Sequence, residues 1–490
     1  MNKTPPVIHP FMFGAMFLFS CFHKIQPFTN WQELLGILAV MLGVIYGIYR
    51  GLRHFFPVGV KASILTTLCV LFFCYFGYME YEFKRFAHLV GWPDLARSRY
   101  ALLVLGAFFA TSALLVIRTR RELRGMKIYL NIATSLAFAF TVFQIFTHPL
   151  PVKSRRHTPL EPPEQGPLVV PANSPDIYYI LLDGYTSAES LQAYWGYDNS
   201  EFVNFLTSHG FQVVKNAHGN SDYTTRCMAG SLNMEHPPQR LQGMNDYAVL
   251  NLLWEVIERA RVPRKLEQAG YRIVNLSLFD LGEHKQFYEF PYMDYNTLGE
   301  VFLNESVIGY WRSYYLRHEL KNSNRRVLSA LHEAAAASGT TKEPRFIYAH
   351  FEMPHPPFFY DRHGKPLNRG FGQGFKPEDY LEYLIYGNHL MTNVVSDILA
   401  KAKTPPIIIL QGDHGFRALP GTNHTAEAMT ILNAYHLPGA QPGWVYEGIT
   451  PVNSFRMIFN RYFGMQYPYR PDLQLPDKPW VEPPGERAKD

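Results

Sequence analysis

The chain has 490 residues, more than one ordinary hydrophobic core accommodates, so at least two domains are expected. A net charge of +5, with no basic stripe interleaved with base-stacking aromatics, argues against a nucleic-acid partner. The 47% of hydrophobic residues is unevenly spread, with most of the surplus before about residue 146, which points to a membrane part in front of a soluble one.

Apolar stretches run over 7–22, 34–49, 59–79, 100–117 and 128–146. A spanning helix needs roughly 17–25 mostly apolar residues, so five membrane helices are expected over 1–146. The second stretch, with Gly36 and Gly43, reaches that length only with its flanking residues. Arg50, Arg53 and Lys61 follow it, and Arg118, Arg120, Arg121, Arg124 and Lys127 follow the fourth. Both basic loops fall on one side, which the positive-inside rule makes the cytoplasm. The N-terminus is then inside, and an odd number of spans puts the remainder outside. A cleaved signal peptide is the weaker reading of the first stretch, because no small-residue cleavage motif follows it.

Residues 147–175 are rich in proline and read as a stiff extracytoplasmic tether. Residues 176–470 alternate short apolar runs with helical patterns. IYYILL at 177–182, FQVV, YRIVNLSL, RFIYAHF and PPIIILQ read as strands, and this pattern predicts an α/β domain with a mainly parallel central sheet. Residues 471–490 read as a tail. Cys227 is the only cysteine of the polar part, so no internal disulfide is expected there. With no CxxC pair, a thiolate zinc site is not expected either.

In parallel sheets ligands bind beyond the carboxyl ends of strands. IYYILL ends in Asp183-Gly184, RFIYAHF runs into Glu352 and His355, and IIILQG ends in Asp413-His414-Gly415. Carboxylate and imidazole groups at such places suit a divalent metal. The ordinary meaning of one such motif is a turn or a helix cap. Two at the exits of buried strands in one domain favour a site.

ILLDGYTS, the segment NSDYTTRCMAGSLN, HFEMPHPPF and QGDHG occur in an order that resembles the alkaline phosphatase superfamily. Within it, the chain is similar to the sulfatase-like, membrane-anchored transferases of phosphoethanolamine and phosphoglycerol, over most of 176–470. The resemblance implies one divalent metal bound by Asp183, Thr224, Asp413 and His414, with zinc preferred over manganese, magnesium or calcium. It makes Thr224 the nucleophile, with Thr225 as the alternative, and places His350, His355 and His424 on the substrate side. Met353-Pro354 stands where the phosphoethanolamine enzymes have Gly-Ser, and Asp183 where they have Glu. The Cys/Ser-x-Pro-x-Arg motif of sulfatases is absent. A threonine hydroxyl needs a metal to stabilise its alkoxide. The bland meaning of Thr224 is a helix cap, and that of Cys227 a small buried residue. A second metal is left open, with Asp361 and the extra histidines as its candidates.

The resemblance implies transfer of a phospholipid-headgroup phosphoryl group to an extracytoplasmic glycan or lipid, at a bacterial inner membrane with the catalytic domain in the periplasm. The alternative is a hydrolase on the same scaffold. A transporter or a structural membrane protein comes last, since the apolar stretches carry almost no charge.

Overall fold

The computed structural model describes residues 6–26, 29–56, 59–92, 95, 98–147, 168, 174–236, 246–288, 297–340, 342–367, 376–417 and 427–474. Among the described residues six helices come first: α1 (His9–Lys24), α2 (Trp31–Phe55), α3 (Gly59–Cys74), α4 (Phe76–Leu89), α5 (Ser98–Arg118) and α6 (Arg124–Thr147). The soluble part follows as β1 (Ile177–Leu182), α7 (Ala188–Trp195), α8 (Ser200–Ser208), β2 (Phe211–Val213), α9 (Thr224–Asn233), α10 (Asp246–Glu258), α11 (Arg261–Gln268) and β3 (Arg272–Leu276). It continues through α12 (Leu298–Glu305), α13 (Val307–Ala336), β4 (Arg345–Phe351), α14 (Pro377–Lys401), β5 (Ile407–Gly412), β6 (Asn433–His436) and α15 (Pro451–Tyr462). Most of the Pro-rich segment and of the C-terminal tail lies outside the described residues.

The membrane part corrects the expected count. Among the described residues α2, α5 and α6 are long and apolar enough to cross a bilayer, and α3 with α4 makes a fourth span only if that pair, bent by 68°, counts as one. The stretch at 59–79 is therefore not one straight span. The first stretch is helical, but its 16 residues rise only about 24 Å against a hydrocarbon core of roughly 30 Å.

The two basic loops do share a side. Lys61 Nζ donates to Ile117 O at 2.9 Å and to Thr119 O at 2.8 Å. The bundle also holds a polar seam that hydropathy hides. His9 Nδ1 lies 2.5 Å from Thr67 Oγ1, and Asn131 Oδ1 accepts from His9 N at 3.1 Å, which joins α1, α3 and α6. At the opposite end of α1 the bundle meets the soluble part. Lys24 pairs with Glu305, Phe17 packs edge-on to Phe302 with centroids 5.5 Å apart, and Leu298 N donates to Glu33 Oε1 at 2.9 Å.

Among the described residues the sheet has six strands, in the order β2-β6-β5-β1-β4-β3. The strands β3, β4, β1 and β5 are parallel, and β6 pairs antiparallel with both β5 and β2. All residues of β1, β4 and β5 are buried, as the continuous apolar runs predict for strands covered on both faces. Tyr179 stacks on Tyr348 at 5.3 Å and meets Phe455 of α15 edge-on at 5.2 Å. Arg345, at the start of β4, donates through its backbone N (2.8 Å) and Nε (3.3 Å) to Asp176 Oδ1 beside the start of β1, which pins the register of the two central strands.

Candidate metal and nucleophile site

The register brings three acids together. Leu182 pairs with Phe351 on one side and Gly412 on the other, so Asp183, Glu352 and Asp413 leave the sheet side by side at its carboxyl edge. All three are buried. Gly184 turns the chain at φ +76°, a region costly for any residue with a Cβ. Its backbone N donates to Asp413 Oδ1 at 3.0 Å, so one strand exit braces the other. Gly415 answers a different need, since a Cβ there would stand 2.6 Å from Glu427 O and 2.7 Å from Thr430 O.

Thr224 is the first residue of α9, and Tyr223 holds the capping position without a side-chain cap bond. The helix-cap reading of Thr224 is thus corrected. Its Oγ1 lies 3.3 Å from Asp183 Oδ2 and 3.3 Å from His414 Nε2. Thr225 Oγ1 is buried with no hydrogen-bond partner, so the two adjacent hydroxyls have different surroundings. Cys227 gives its thiol to Ser221 O at 3.1 Å, and burial, with the charges of Asp413 and Asp222, pushes that thiol well above its ordinary range. It is a buried, inert residue. Arg226 is buried too.

His414 Nδ1 donates to Gly415 O at 2.7 Å, which leaves a lone pair on Nε2. That lone pair faces Asp183 Oδ1 at 3.3 Å and Asp413 Oδ2 at 3.6 Å, as well as Thr224. Lone pairs so placed repel unless a positive charge lies among them. Burial and Arg417 push the His414 pKa down, but Asp413 and Asp183 outweigh them and raise it. Asp183 Oδ1 and Asp413 Oδ2 are both buried without a hydrogen-bond partner. The donor set fits a divalent cation.

Behind Asp183 stands a second group. His350 is fully buried, with Nε2 3.3 Å from Asp183 Oδ2 and 4.0 Å from Glu352 Oε1, and Nδ1 2.9 Å from Tyr348 Oη. Tyr288 Oη lies 2.9 Å from His350 O and 3.1 Å from Glu352 Oε1, and its single proton serves one of the two. Burial and the charge of Asp183 push the Glu352 carboxyl well above the usual range. Burial would raise Asp183 as well, but His355, His350 and His414 hold it well below. Ligand atoms of Asp183, His355 and His414 lie within 4.8 Å of one another, and so do those of Asp183, His350 and Glu352.

His355 stands on the open side, half-buried. Its Nδ1 donates to Pro356 O at 2.7 Å and its Nε2 accepts from Arg417 Nη2 at 3.1 Å. Burial pushes its pKa down to about 4. The expected trio of substrate-side histidines thus divides: His350 is interior, His355 lies at the mouth, and His424 lies outside the described residues. Asp361 joins neither cluster. Its Oδ1 accepts from the backbone N of His363 and of Lys365, both at 2.9 Å, within a surface turn. Sequence reasoning assigned no role to Tyr288 or Arg417, and it named Glu352 only among the strand-exit groups suited to a metal, without a place in the site. Glu352 carries the one signal that was available, an acid at a strand exit.

Residues 175–450 match the family described as Sulfatase. Among solved structures, the chain is similar to the C-terminal periplasmic domain of EcEptC from Escherichia coli, at 14% identity over 65% of this chain and 92% of that one, with a TM-score of 0.39. It is also similar to the C-terminal periplasmic domain of phosphoethanolamine transferase EptC from Campylobacter jejuni, at 11% identity over 64% and 100%, with a TM-score of 0.37. A third such structure is the 2-O GAG sulfatase BT1596, at 13% identity over 60% and 72%, with a TM-score of 0.38. At these scores the three likenesses carry no weight for the reaction. No curated protein matches the chain. The family match spans more than half of the chain and contains every strand-exit residue of the site, and the protein therefore belongs to the sulfatase family of the alkaline phosphatase superfamily of enzymes.

Proposed function

We propose that the protein is a membrane-anchored transferase. It moves a phosphoryl-bearing headgroup from a phospholipid to a hydroxyl of an extracytoplasmic glycan or lipid, through a phosphothreonine at Thr224. The observation that carries this reading is the position of Thr224 Oγ1, 3.3 Å from both Asp183 Oδ2 and His414 Nε2 at the start of α9. A nucleophile at a helix N-terminus also gains from the positive end of the helix dipole.

Asp183, Thr224, Asp413 and His414 would hold the metal, with zinc preferred for a mixed oxygen and nitrogen set. When bound, that metal supplies a positive charge for the threonine alkoxide and the phosphoryl oxygens. Asp183 Oδ2, 3.3 Å from Thr224 Oγ1, would take up the hydroxyl proton. Thr224 Oγ1 bonds to phosphorus as the phosphorus–oxygen bond to the diacylglycerol breaks, and the diacylglycerol oxygen leaves with the proton that Thr224 gave up. An acceptor hydroxyl then attacks the same phosphorus, the bond to Thr224 Oγ1 breaks, and the acceptor's proton returns to Thr224. The helices keep the site beside its donor, in a bacterial inner membrane with the soluble part in the periplasm.

The test uses full-length protein in vesicles whose phospholipid headgroup carries an isotopic label. Label moved onto a lipid or glycan hydroxyl supports the transferase. Label released as free headgroup makes the protein a hydrolase. With metal-loaded protein, label that stays wholly on its donor rules out both.

A further inference from the structure

Arg417 lies on the chain leaving β5, four residues beyond Asp413. Its guanidinium donates from Nη2 to His355 Nε2 at 3.1 Å. On its other side, its Cζ lies 5.7 Å from the centroid of the Tyr223 ring. Tyr223 directly precedes Thr224 and holds the capping position of α9. The His355 ring in turn meets the His414 ring edge-on, with centroids 6.1 Å apart. Arg417 therefore bridges the open side of the site, from the residue before Thr224 to the imidazole beside His414.

The hydrogen bonds fix the His355 tautomer. Pro356 O only accepts, so Nδ1 carries the proton. Arginine only donates, so Nε2 presents its lone pair to Arg417. His355 thus acts here as an acceptor that aims a guanidinium, not as a donor to a substrate oxygen. A guanidinium fork matches two oxygens of a tetrahedral phosphoryl group, and the N-terminus of α9 offers a second favourable end to the same charge.

We propose that Arg417 binds the non-bridging oxygens of the phosphoryl group transferred through Thr224, and that His355 is its positioning residue. This rests on the phosphoryl-transfer reading above and adds a specificity: the donor is an anionic phosphodiester gripped by arginine on the side of the site where His355 stands.

The test measures binding of inorganic phosphate to the metal-loaded, full-length protein in detergent by calorimetry, with metal content and melting temperature followed for each variant. Arg417→Gln is expected to weaken phosphate binding about tenfold or more, and Arg417→Lys to recover part of it, since lysine keeps the charge without the fork. His355→Gln, whose amide oxygen still accepts from Arg417, is expected to stay within about threefold of the native affinity. His355→Leu is expected to weaken binding as Arg417→Gln does, with metal content unchanged in all four. Native affinity in a folded Arg417→Gln overturns the proposal. Loss of metal in both His355 variants overturns it as well, because His355 is then a ligand. Should Arg417→Gln fail to fold, an Arg417→Lys protein that binds phosphate no better than His355→Leu overturns it. The reading beneath fails separately: if phosphate binding depends on Arg417 but the native protein transfers no headgroup, the anion site stands and the transferase does not.

Discussion

At the scale of single residues, two adjacent threonines make the sharpest contrast. Thr224 Oγ1 sits between a carboxylate and an imidazole, whereas Thr225 Oγ1 is buried without a partner. Thr224→Ala should lower turnover by about a thousandfold or more, as loss of a nucleophile does. Thr225→Val replaces an unsatisfied buried hydroxyl by a methyl of similar size, so it should leave the melting temperature unchanged or raised and activity largely intact. Rates and melting curves of both variants decide it, and a dead Thr225→Val enzyme with an active Thr224→Ala one would reverse the assignment. Gly415→Ala should cost about 1–3 kcal/mol, because the added Cβ meets two carbonyl oxygens. Denaturant unfolding of that variant gives the number, and an unchanged midpoint would contradict the close approach. The Asp-His-Gly run was legible because an acid and an imidazole at the end of a greasy strand are hard to explain otherwise. The division between His350 and His355 was not. Spacing does not say that one ring faces inward against Tyr348 while the other lies at the mouth.

At the scale of elements, the apolar runs read correctly as strands, and their order of burial follows from that. What no run shows is the register. Only the pairing of Leu182 with Phe351 and Gly412 makes Glu352 a neighbour of Asp183 and Asp413. The membrane helices show the converse limit. Hydropathy over 59–79 finds apolar mass but not the bend between α3 and α4, since the residues on both sides of the break are apolar and the charges of α4, Glu80, Glu82, Lys84 and Arg85, come only after that stretch. The contact of Lys61 with Ile117 and Thr119 puts the two basic loops together. A reporter inserted between α6 and β1 should therefore behave as extracytoplasmic. Cytoplasmic activity at that point would contradict the proposed placement of the site outside the cytoplasm.

At the scale of the whole molecule, the bundle and the catalytic domain are joined through α12, whose Leu298, Val301 and Phe302 pack into the membrane cluster. The soluble part also carries a pH dependence that is separate from catalysis. Burial lowers the pKa of His436, whose Nδ1 donates to Pro406 O at 2.8 Å. In the folded protein this ring stays neutral where the unfolded chain, near 6.5, already takes up a proton. Its stabilising share is thus present above about pH 6.5 and is lost as the pH falls from there through the lower folded value. His436→Gln should make the fall in melting temperature between about pH 7 and pH 5 shallower than in the native protein. An identical slope would mean that this ring titrates the same in both states.

The metal and the nucleophile are tested together by intact mass and peptide mapping of full-length protein incubated with phospholipid vesicles, in its native form and as the Asp413→Ala/His414→Ala double variant. The native protein should hold a stoichiometric divalent metal and gain the mass of the phosphoryl-bearing headgroup at Thr224, and the double variant should lack both. An adduct on Thr225 or Cys227, or a double variant that keeps its metal and still forms the adduct on Thr224, would contradict the account.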